Sequence, residues 1–382
     1  MGTFDILIKN VKIVDGTGAP WFRGDIGIKG DTIKSIGKLS GVPAEIIIEG
    51  EGLVAAPGFI DPHSHADMVA LENPELENLV RQGITTVVVG NCGLSLAPVN
   101  ENNKKWIEEI VWGYEEYRLE LKWKTFKEYL DEMEKKDFGV NMAHLVGHGT
   151  IRYAVMGENS TEQEEVTPNE LEQMKDLVRE AMNAGAYGMS TGLVYPPGNK
   201  AKKKEIIELA KVVAEYGGVY STHIRSEARG LRKALEEAIE IGKAAGVRVQ
   251  ISHFKIANPK MWGKAKKFLE FIEEAREKGV DVAFDQYPYT RGMGPLGLVL
   301  SDCLEEKDEK NLSTMLNNSD IEGIIEMIKK SLPEWKNILI AATPKECEDL
   351  KGKTLEEIIK NEGETILVKH LGSINAIVPC MY

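Results

Sequence analysis

The pattern of hydrophobic and polar positions changes at about residue 54. Before it, short runs alternate apolar and polar residues and break at glycine turns such as Asp15-Gly16 and Gly30-Asp31, which predicts paired β-strands. After it, short apolar runs alternate with amphipathic segments of helical spacing. Strand–helix alternation is typical of parallel strands with right-handed crossovers. We therefore predict a small antiparallel β layer over residues 1–53 and an α/β region after it.

Seven apolar runs in the α/β region have the length of buried strands. They are LVAAPGFID, GITTVVVGN, VNMAHLVGHG, GAYGMSTGLVY, GGVYSTHIR, VRVQISHFK and VDVAFDQYP. The segments between them, for example residues 168–185 and 230–246, space their apolar residues as the buried face of a helix does. A TIM-like barrel has eight strands, and a doubly wound sheet is the alternative. We assign residues 54–294 to the barrel.

Beyond Pro295 the alternation loosens into helical segments and one strand, NILIAA. We predict an insertion after strand seven over residues 295–382, and the sequence reaches NAIVPCMY without an eighth strand–helix unit. The expected fold class is α/β. It comprises a TIM-like (β/α) barrel missing its eighth strand, a small N-terminal β-sandwich domain and a helical insertion after strand seven.

Composition and charge indicate which class of protein this is and which partners and compartment to expect. The 382 residues are 42% hydrophobic and 28% charged, as in soluble globular proteins, and the net charge of −13 argues against a nucleic-acid partner. We find no secretory signal and no transmembrane run, so no membrane partner is expected. The four cysteines lack disulfide-like spacing, which favours the reducing cytoplasm, with buried thiols at Cys303, Cys347 and Cys380.

Histidines concentrate at the predicted strand ends, where barrels of this type place their chemistry. Five of the seven histidines stand at such ends, and the other two are His144 and His370. Strand one ends in His63 and His65, strand three in His148, strand five in His223, strand six in His253, and strand seven ends in Asp285. A period of two places the imidazoles of His63 and His65 on the same side of their strand.

A single histidine at a strand end is more often a hydrogen-bonding residue than a ligand, and His148 fits that description. Four imidazoles converging on one barrel mouth, from the His63/His65 pair, His223 and His253, instead predict a zinc site. Two metals also need a bridging anion. Strand four (YGMSTGLVY) contains no lysine for that role, so Cys92, at the end of strand two, is the predicted bridge.

These segments together resemble a known family. The chain is similar to the amidohydrolase superfamily and, within it, to the D-aminoacylases (N-acyl-D-amino-acid deacylases), from Phe4 to about Tyr382. The resemblance rests on the ordered set APGFIDPHSHAD, GITTVVVGNCG, LVGHGTIR, GAYGMSTGLVYPPG, YSTHIRSE, ISHFK and FDQYPYT. It implies zinc-dependent hydrolysis of the amide bond of a small N-acyl-D-amino acid, with one or two zinc ions.

The resemblance also implies roles for individual residues. His63 and His65 would hold one metal, Cys92 would bridge, and His223 and His253 would hold the tighter zinc. Lys255 and Tyr287 would bind the substrate carboxylate. Lys255 suits that role because its cation lies two residues past a metal ligand on the same strand face.

The catalytic aspartate that the resemblance implies belongs at the end of strand eight, in a Gly-Ser-Asp-Gly-like turn that the sequence lacks. Ser301-Asp302 follows strand seven too closely to serve, and Asp285 is the next candidate base. We therefore assign no catalytic base and expect the 382-residue chain alone to be nearly inactive.

Two alternatives stay open. One is a cyclic amidase of the dihydroorotase or hydantoinase kind, against which the missing strand-four lysine and Cys92 argue. The other is a catalytically incomplete metal-binding fragment of a deacylase, whose partner is a second polypeptide that supplies strand eight. A homo-oligomer is also compatible with the sequence.

Overall fold

The computed structural model describes residues 3–114, 119–296, 337–343, 345–362 and 375–379, and three single positions, 322, 323 and 326. The chain divides into two compact units: Met1–Ile60 with Arg81–Thr86, and Asp61–Val80 with Val87–Tyr382. The domain boundaries at residues 53 and 294 stay predictions. Five residues named above lie outside the described part: Ser301, Asp302, Cys303, His370 and Cys380.

The first unit contains a five-stranded sheet. Its strands are β1 (Phe4–Ile13), β2 (Phe22–Lys29), β3 (Thr32–Gly37), β4 (Ala44–Glu49) and β5 (Val54–Ala55), in the order β3-β2-β1-β4, with β5 also paired to β1. The predicted glycine turn between β2 and β3 is present, and Gly30 has a φ of +59° that glycine adopts at little cost. Val11, Ile13 and Ile26 form the buried core of this sheet.

The prediction of an antiparallel layer is wrong for β4 and β5. β1 and β2 pair antiparallel, but β4 and β5 both run parallel to β1, one after the other along the same edge. The backbone N–H of Gly50 donates to the carbonyl of Lys9 at 2.8 Å, so the chain stays beside β1 between the two strands instead of turning back. Alternation of side chains indicates a strand but does not select its partner.

A second sheet contains seven strands in sequential order. They are β6 (Phe59–Asp61), β7 (Ile84–Val89), β8 (Asn141–Gly147), β9 (Gly188–Gly192), β10 (Val219–His223), β11 (Arg248–Ile251) and β12 (Val282–Phe284). Each falls within one of the seven predicted runs, and the pairs from β8 to β12 are parallel. The carboxyl ends of these strands therefore lie at the same edge.

Amphipathic helices follow the strands as the sequence predicts. Their bounds are α1 (Asp67–Ala70), α2 (Glu77–Val80), α3 (Lys104–Tyr114), α4 (Phe126–Met133), α5 (His148–Met156), α6 (Pro168–Ala184), α7 (Lys203–Glu215), α8 (Leu231–Ala245), α9 (Ala265–Glu277) and α10 (Leu355–Glu362). Short 3₁₀ turns occur at Gly157–Thr161, Gly198–Lys200, Pro259–Met261 and Lys345–Leu350. α6 begins with a capping box between Thr167 and Glu170 and ends at Gly185, which has a left-handed φ of +117°.

The segment after strand seven has more strand than expected. β13 (Arg291–Pro295), β14 (Leu339–Ala342) and β15 (Asn375–Pro379) form an antiparallel sheet in the order β13-β15-β14. The sequence predicted β14 and helical segments but neither β13 nor β15. The glycines and proline of β13 give no alternating pattern. Among the described residues, no helix combines the length and apolar composition needed to span a bilayer.

Candidate metal centre

The chemistry-bearing side chains follow the carboxyl ends of five strands of the seven-stranded sheet. His63 and His65 follow β6, Cys92 follows β7, His223 ends β10, His253 and Lys255 follow β11, and Asp285 follows β12. One detail of the prediction is wrong: β6 ends at Asp61, so the two histidines lie in the turn beyond the strand. The N–H of His63 there donates to the Asp61 carboxylate at 3.0 Å. Strand alternation therefore does not set their directions.

Cys92 lies at the centre of this group. Its Sγ is 3.3 Å from His63 Nε2 and 3.5 Å from His253 Nε2, and His223 also makes a hydrogen bond to it. Zinc–sulfur bonds of about 2.3 Å and zinc–nitrogen bonds of about 2.0–2.1 Å, at a tetrahedral angle, put sulfur and nitrogen about 3.5 Å apart. The thiol and the two imidazoles therefore have the spacing of ligands to one zinc ion.

The charges in this cluster favour the form of cysteine that binds metals. Burial raises the pKa of the Cys92 thiol, but the charge of His63 and the hydrogen bonds from His223, His253 and His63 outweigh it, so the pKa lies well below its ordinary value. Burial lowers the pKa of His63, but the negative charges of Cys92 and Asp285 outweigh burial, so the pKa of His63 lies above its ordinary value. The lowered pKa of Cys92 favours the thiolate, which is the state that coordinates zinc.

The backbone at Cys92 has an uncommon conformation, with φ +57°. Two side chains hold it: Tyr195 Oη donates to the Cys92 carbonyl at 2.6 Å, and the N–H of Gly93 donates to Ser190 Oγ at 2.9 Å. A Cβ on Gly93 would lie 2.7 Å from the backbone nitrogen of Gly192, so this position requires glycine. The strand-two loop is thus built to direct the thiol toward the histidines.

His63 and His253 each have a carboxylate beside the ring nitrogen that faces away from Cys92. Asp285 Oδ1 is 3.3 Å from His63 Nδ1, and Glu227 Oε1 is 2.8 Å from His253 Nδ1. When a metal binds Nε2, a carboxylate beside Nδ1 can accept the ring proton there and so favour the metal-binding tautomer. Asp285 also accepts from the N–H of His253 at 2.6 Å and from Gln250 Nε2 at 2.9 Å.

His65 and His223 extend the cluster on either side. The His65 ring meets the His63 ring edge-on at 5.6 Å, and the His223 ring meets the His253 ring at 4.3 Å. Burial, opposed in part by His65, raises the pKa of Asp67 to about 6. His223, Glu227 and His253 form a second group whose potential ligand atoms lie within 4.8 Å of one another. The described residues therefore have donors for one ion and, in principle, a second.

The two predicted substrate-binding residues lie beside this cluster. Lys255 Nζ is 2.5 Å from Glu227 Oε2, 3.2 Å from His253 Nδ1, and 6.0 Å from the centre of the Tyr287 ring. The Lys255 side chain is 14% exposed. An ammonium group this close to the cluster can pair with an anionic substrate held by it.

The sequence analysis missed Glu227. It lies four residues after His223 in THIRSE, and its only signal was an acidic residue beside a histidine at a strand end. His148 is not part of the centre: it begins α5 and pairs with Glu205. His144 lies within β8, and Cys347 is buried, as predicted.

The sequence model of the amidohydrolase family (Amidohydro_3) matches residues 47–298. A D-aminoacylase of Alcaligenes xylosoxydans xylosoxydans is 40% identical over 289 residues, covering 76% of this chain and 58% of its own length. An N-acyl-D-glutamate deacylase of the same organism is 38% identical over 287 residues, 75% of this chain and 57% of its own. The chain thus spans less than three fifths of either relative.

A solved structure gives the same picture. The chain is similar to an N-acyl-D-glutamate deacylase from Bordetella bronchiseptica, complexed with zinc and a phosphonate inhibitor that mimics the tetrahedral intermediate. The TM-score is 0.83 at 33% identity, covering 100% of this chain and 72% of that one. These similarities confirm the predicted family resemblance and the predicted α/β fold class with a TIM-like barrel and an N-terminal strand domain.

Proposed function

The chain belongs to the amidohydrolase family, and from that premise we propose that it hydrolyses the amide bond of N-acyl-D-amino acids with zinc as its metal. The products are the carboxylate of the acyl group and the free D-amino acid. The observation that carries the proposal is the position of Cys92 Sγ, 3.3 Å and 3.5 Å from two imidazole nitrogens, with Lys255 beside the same cluster.

Five residues would hold the metal. His63, Cys92, His223 and His253 belong to the two groups of potential ligands, and His65 lies beside them with its ring 5.6 Å from that of His63. Together they would take one or two zinc ions. Three kinds of support point to zinc: the thiolate–imidazole donor set, its tetrahedral spacing, and the zinc in the similar deacylase. Zinc bound there would lower the pKa of a water from 15.7 to about 7 and polarise the acyl carbonyl.

The residues of the chain have separate tasks in this proposal. Lys255, with Tyr287 beside it, binds the substrate carboxylate and so fixes which face of the Cα atom turns toward the metal. Asp285 lies beside His63 Nδ1 and orients that ring. Its two oxygens already accept hydrogen bonds from the N–H of His253 and from Gln250. We therefore give Asp285 a positioning role in preference to that of a base. The partner is a small N-acyl amino acid, in line with the names of the relatives.

A cyclic amidase is the weaker candidate. Its two metals would need a lysine at the end of the fourth barrel strand, and β9 (GMSTG) has none. Cys92 supplies an anionic donor at the centre of the histidines instead.

The test compares enantiomers on the zinc-loaded chain. We expect N-acetyl-D-methionine to release methionine faster than N-acetyl-L-methionine, and a chelator to abolish the release. A phosphonate analogue of the tetrahedral intermediate with the D configuration should bind the zinc-loaded chain, as measured by calorimetry, even where turnover is slow. Hydrolysis without enantiomer preference, or hydrolysis and phosphonate binding that survive metal removal, would contradict the proposal.

A further inference from the structure

We infer that Glu227 is a positioning residue that joins the metal centre to the substrate-binding lysine, because one carboxylate orients His253 and holds Lys255. The inference rests on the proposed function, since it takes His253 as a zinc ligand and Lys255 as the group that binds the substrate carboxylate. It assigns a role to a buried acid outside the five metal-binding residues and the two substrate-binding residues.

Glu227 is deeply placed between the loops that follow β10 and β11. It is 5% exposed, and its backbone carbonyl accepts a hydrogen bond of 2.9 Å from the N–H of Ala257. Oε1 lies 2.8 Å from His253 Nδ1, and Oε2 lies 2.5 Å from Lys255 Nζ. A buried carboxylate with these two neighbours is held in place by both loops.

Two groups lie beside His253 Nδ1: the Glu227 carboxylate at 2.8 Å and the Lys255 ammonium at 3.2 Å. When Nε2 binds a metal, the neutral ring carries its proton on Nδ1. An ammonium group has no lone pair and cannot accept that proton's hydrogen bond, whereas a carboxylate can. Of these two neighbours, only Glu227 is suited to the metal-binding tautomer.

The second half of the argument concerns Lys255. Its ammonium has three donors, so it can contact Glu227 and a substrate carboxylate together. The negative charge of Glu227 nevertheless opposes a second carboxylate in this poorly solvated place. Removing that charge should therefore weaken zinc binding through His253 and strengthen binding of the anionic substrate through Lys255. Two effects of opposite sign distinguish this role from general structural damage.

Glu227 could instead be a direct ligand, since it lies near both His223 and His253. Its Oε2 is 3.8 Å from His223 Nε2 but 2.5 Å from the Lys255 ammonium. A cation held that close repels a divalent ion and occupies the oxygen that would bind it. The contacts therefore favour an orienting carboxylate over a ligand.

The first experiment measures zinc affinity by competition with a chromophoric chelator, which needs no turnover. We expect Glu227→Gln to bind zinc about 10–100-fold more weakly than the unchanged chain, the usual cost of losing the carboxylate behind a ligating histidine. Glu236→Gln is the matched control, because Glu236 is 45% exposed and pairs with Arg232 on α8. It should bind zinc normally. Unchanged zinc affinity in Glu227→Gln would overturn the inference.

Circular dichroism establishes that the variants are folded. If Glu227→Gln does not fold, Glu227→Asp is the second variant, because it keeps the charge but shortens the side chain by one methylene. Its zinc affinity should lie between that of the unchanged chain and the weaker affinity expected for Glu227→Gln. A folded Glu227→Asp that binds zinc as tightly as the unchanged chain would equally contradict the orienting role.

The second experiment measures KM at saturating zinc for N-acetyl-D-methionine and for its carboxamide. In Glu227→Gln we expect a several-fold lower KM for the carboxylate, no such fall for the carboxamide, and no fall in a Lys255→Met background. Equal changes for both substrates would refute the link to Lys255. An unchanged chain that neither hydrolyses these substrates nor binds the phosphonate contradicts the proposed function instead, while the zinc titration still decides the role of Glu227.

Discussion

Two histidines near the carboxyl ends of the barrel strands, the fully buried His148 and the 13% exposed His253, each meet a buried glutamate, yet the two places differ in kind. In the first, His148 Nε2 contacts Glu205 Oε1 at 2.7 Å, and Arg152 contacts the other oxygen of the same carboxylate. In the second, His253 Nδ1 contacts Glu227 at 2.8 Å, while its Nε2 faces the thiol of Cys92. In both places the glutamate beside the ring is buried.

The two places differ in the cation that pairs with the glutamate and in the groups that face the second nitrogen of the imidazole ring. Arg152 is fully buried and also donates to the carbonyls of Ser160 and Gln163, so the first cluster joins α5, α7 and the turn between α5 and α6. Within the described part of the chain, the hydrogen-bond partners of His148, Glu205 and Arg152 include neither a sulfur nor a second imidazole. A histidine–carboxylate pair therefore indicates a metal site only where the other ring nitrogen faces further metal-ligand atoms, and otherwise has a structural role.

The sharpest way to break this comparison is the same substitution in the structural cluster. Glu205→Gln leaves the buried Arg152 without its anion, so we expect a loss of about 3–5 kcal/mol in unfolding free energy. Zinc affinity should stay unchanged. Urea denaturation and chelator competition measure the two quantities, with exposed Glu240→Gln as control. A fall in zinc affinity would mean that the clusters are not separate in function.

The converse change is Cys92→Ala in the proposed metal centre. Structural zinc sites of four ligands contribute about 10–16 kcal/mol, or about 3–4 kcal/mol for each ligand, so zinc affinity should fall on the order of 10²–10³-fold. Metal analysis and competition titration give the result. Zinc content and affinity equal to those of the unchanged chain would exclude the thiol as a ligand.

Lys255 sharpens the comparison because it replaces the arginine of the structural cluster with a cation that can also bind substrate. Lys255→Ala should raise KM for N-acetyl-D-methionine more than it lowers kcat, with a loss of about 1.5–3 kcal/mol, as for a hydrogen bond to a charged group. Steady-state kinetics at saturating zinc provide the measurement. A KM that does not move would remove Lys255 from the substrate site.

His144 offers the smallest effect, because its Nδ1 meets the hydroxyl of Tyr129 at 3.3 Å rather than a carboxylate. Burial lowers the pKa of His144 to about 4. Between pH 6.5 and about 4 the unfolded state then binds more protons, so stability is present above this window and falls as the pH falls through it. The slope approaches about 1.4 kcal/mol per pH unit.

This slope can be isolated by comparing the unchanged chain with His144→Gln, which cannot titrate at this position. Urea unfolding at several pH values should show a shallower decline for the variant. Parallel pH profiles for both proteins would mean that His144 is protonated as readily in the folded chain as in the unfolded one.

The positions of the metal-binding candidates could be predicted from the sequence because strand ends are visible in it. An apolar run marks each strand, and the residues that follow it at His63, Cys92, His223 and His253 share one edge of a parallel sheet. Their orientation could not be predicted. It depends on turns such as that at His253, whose φ of +35° no periodicity indicates.

Glu227 could not be recognised for a different reason. In sequence it is an acid in a polar loop, and its burial arises only when the loops after β10 and β11 come together. The parallel pairing of β4 with β1 also depends on contacts between residues distant in the chain. Local patterns predict the elements, whereas pairing and burial come from the assembled fold.

The left-handed backbone at Cys92 and His253 has a consequence for substitution. At a φ of +57° or +35°, asparagine, aspartate, histidine and glycine are accommodated best, and branched residues such as valine are strained. The backbone conformation at Cys92 therefore restricts which residues can replace it, independently of their ability to bind a metal. Aspartate fits this backbone and still supplies an anion, so it is the replacement for Cys92 that keeps both the loop conformation and a negatively charged donor.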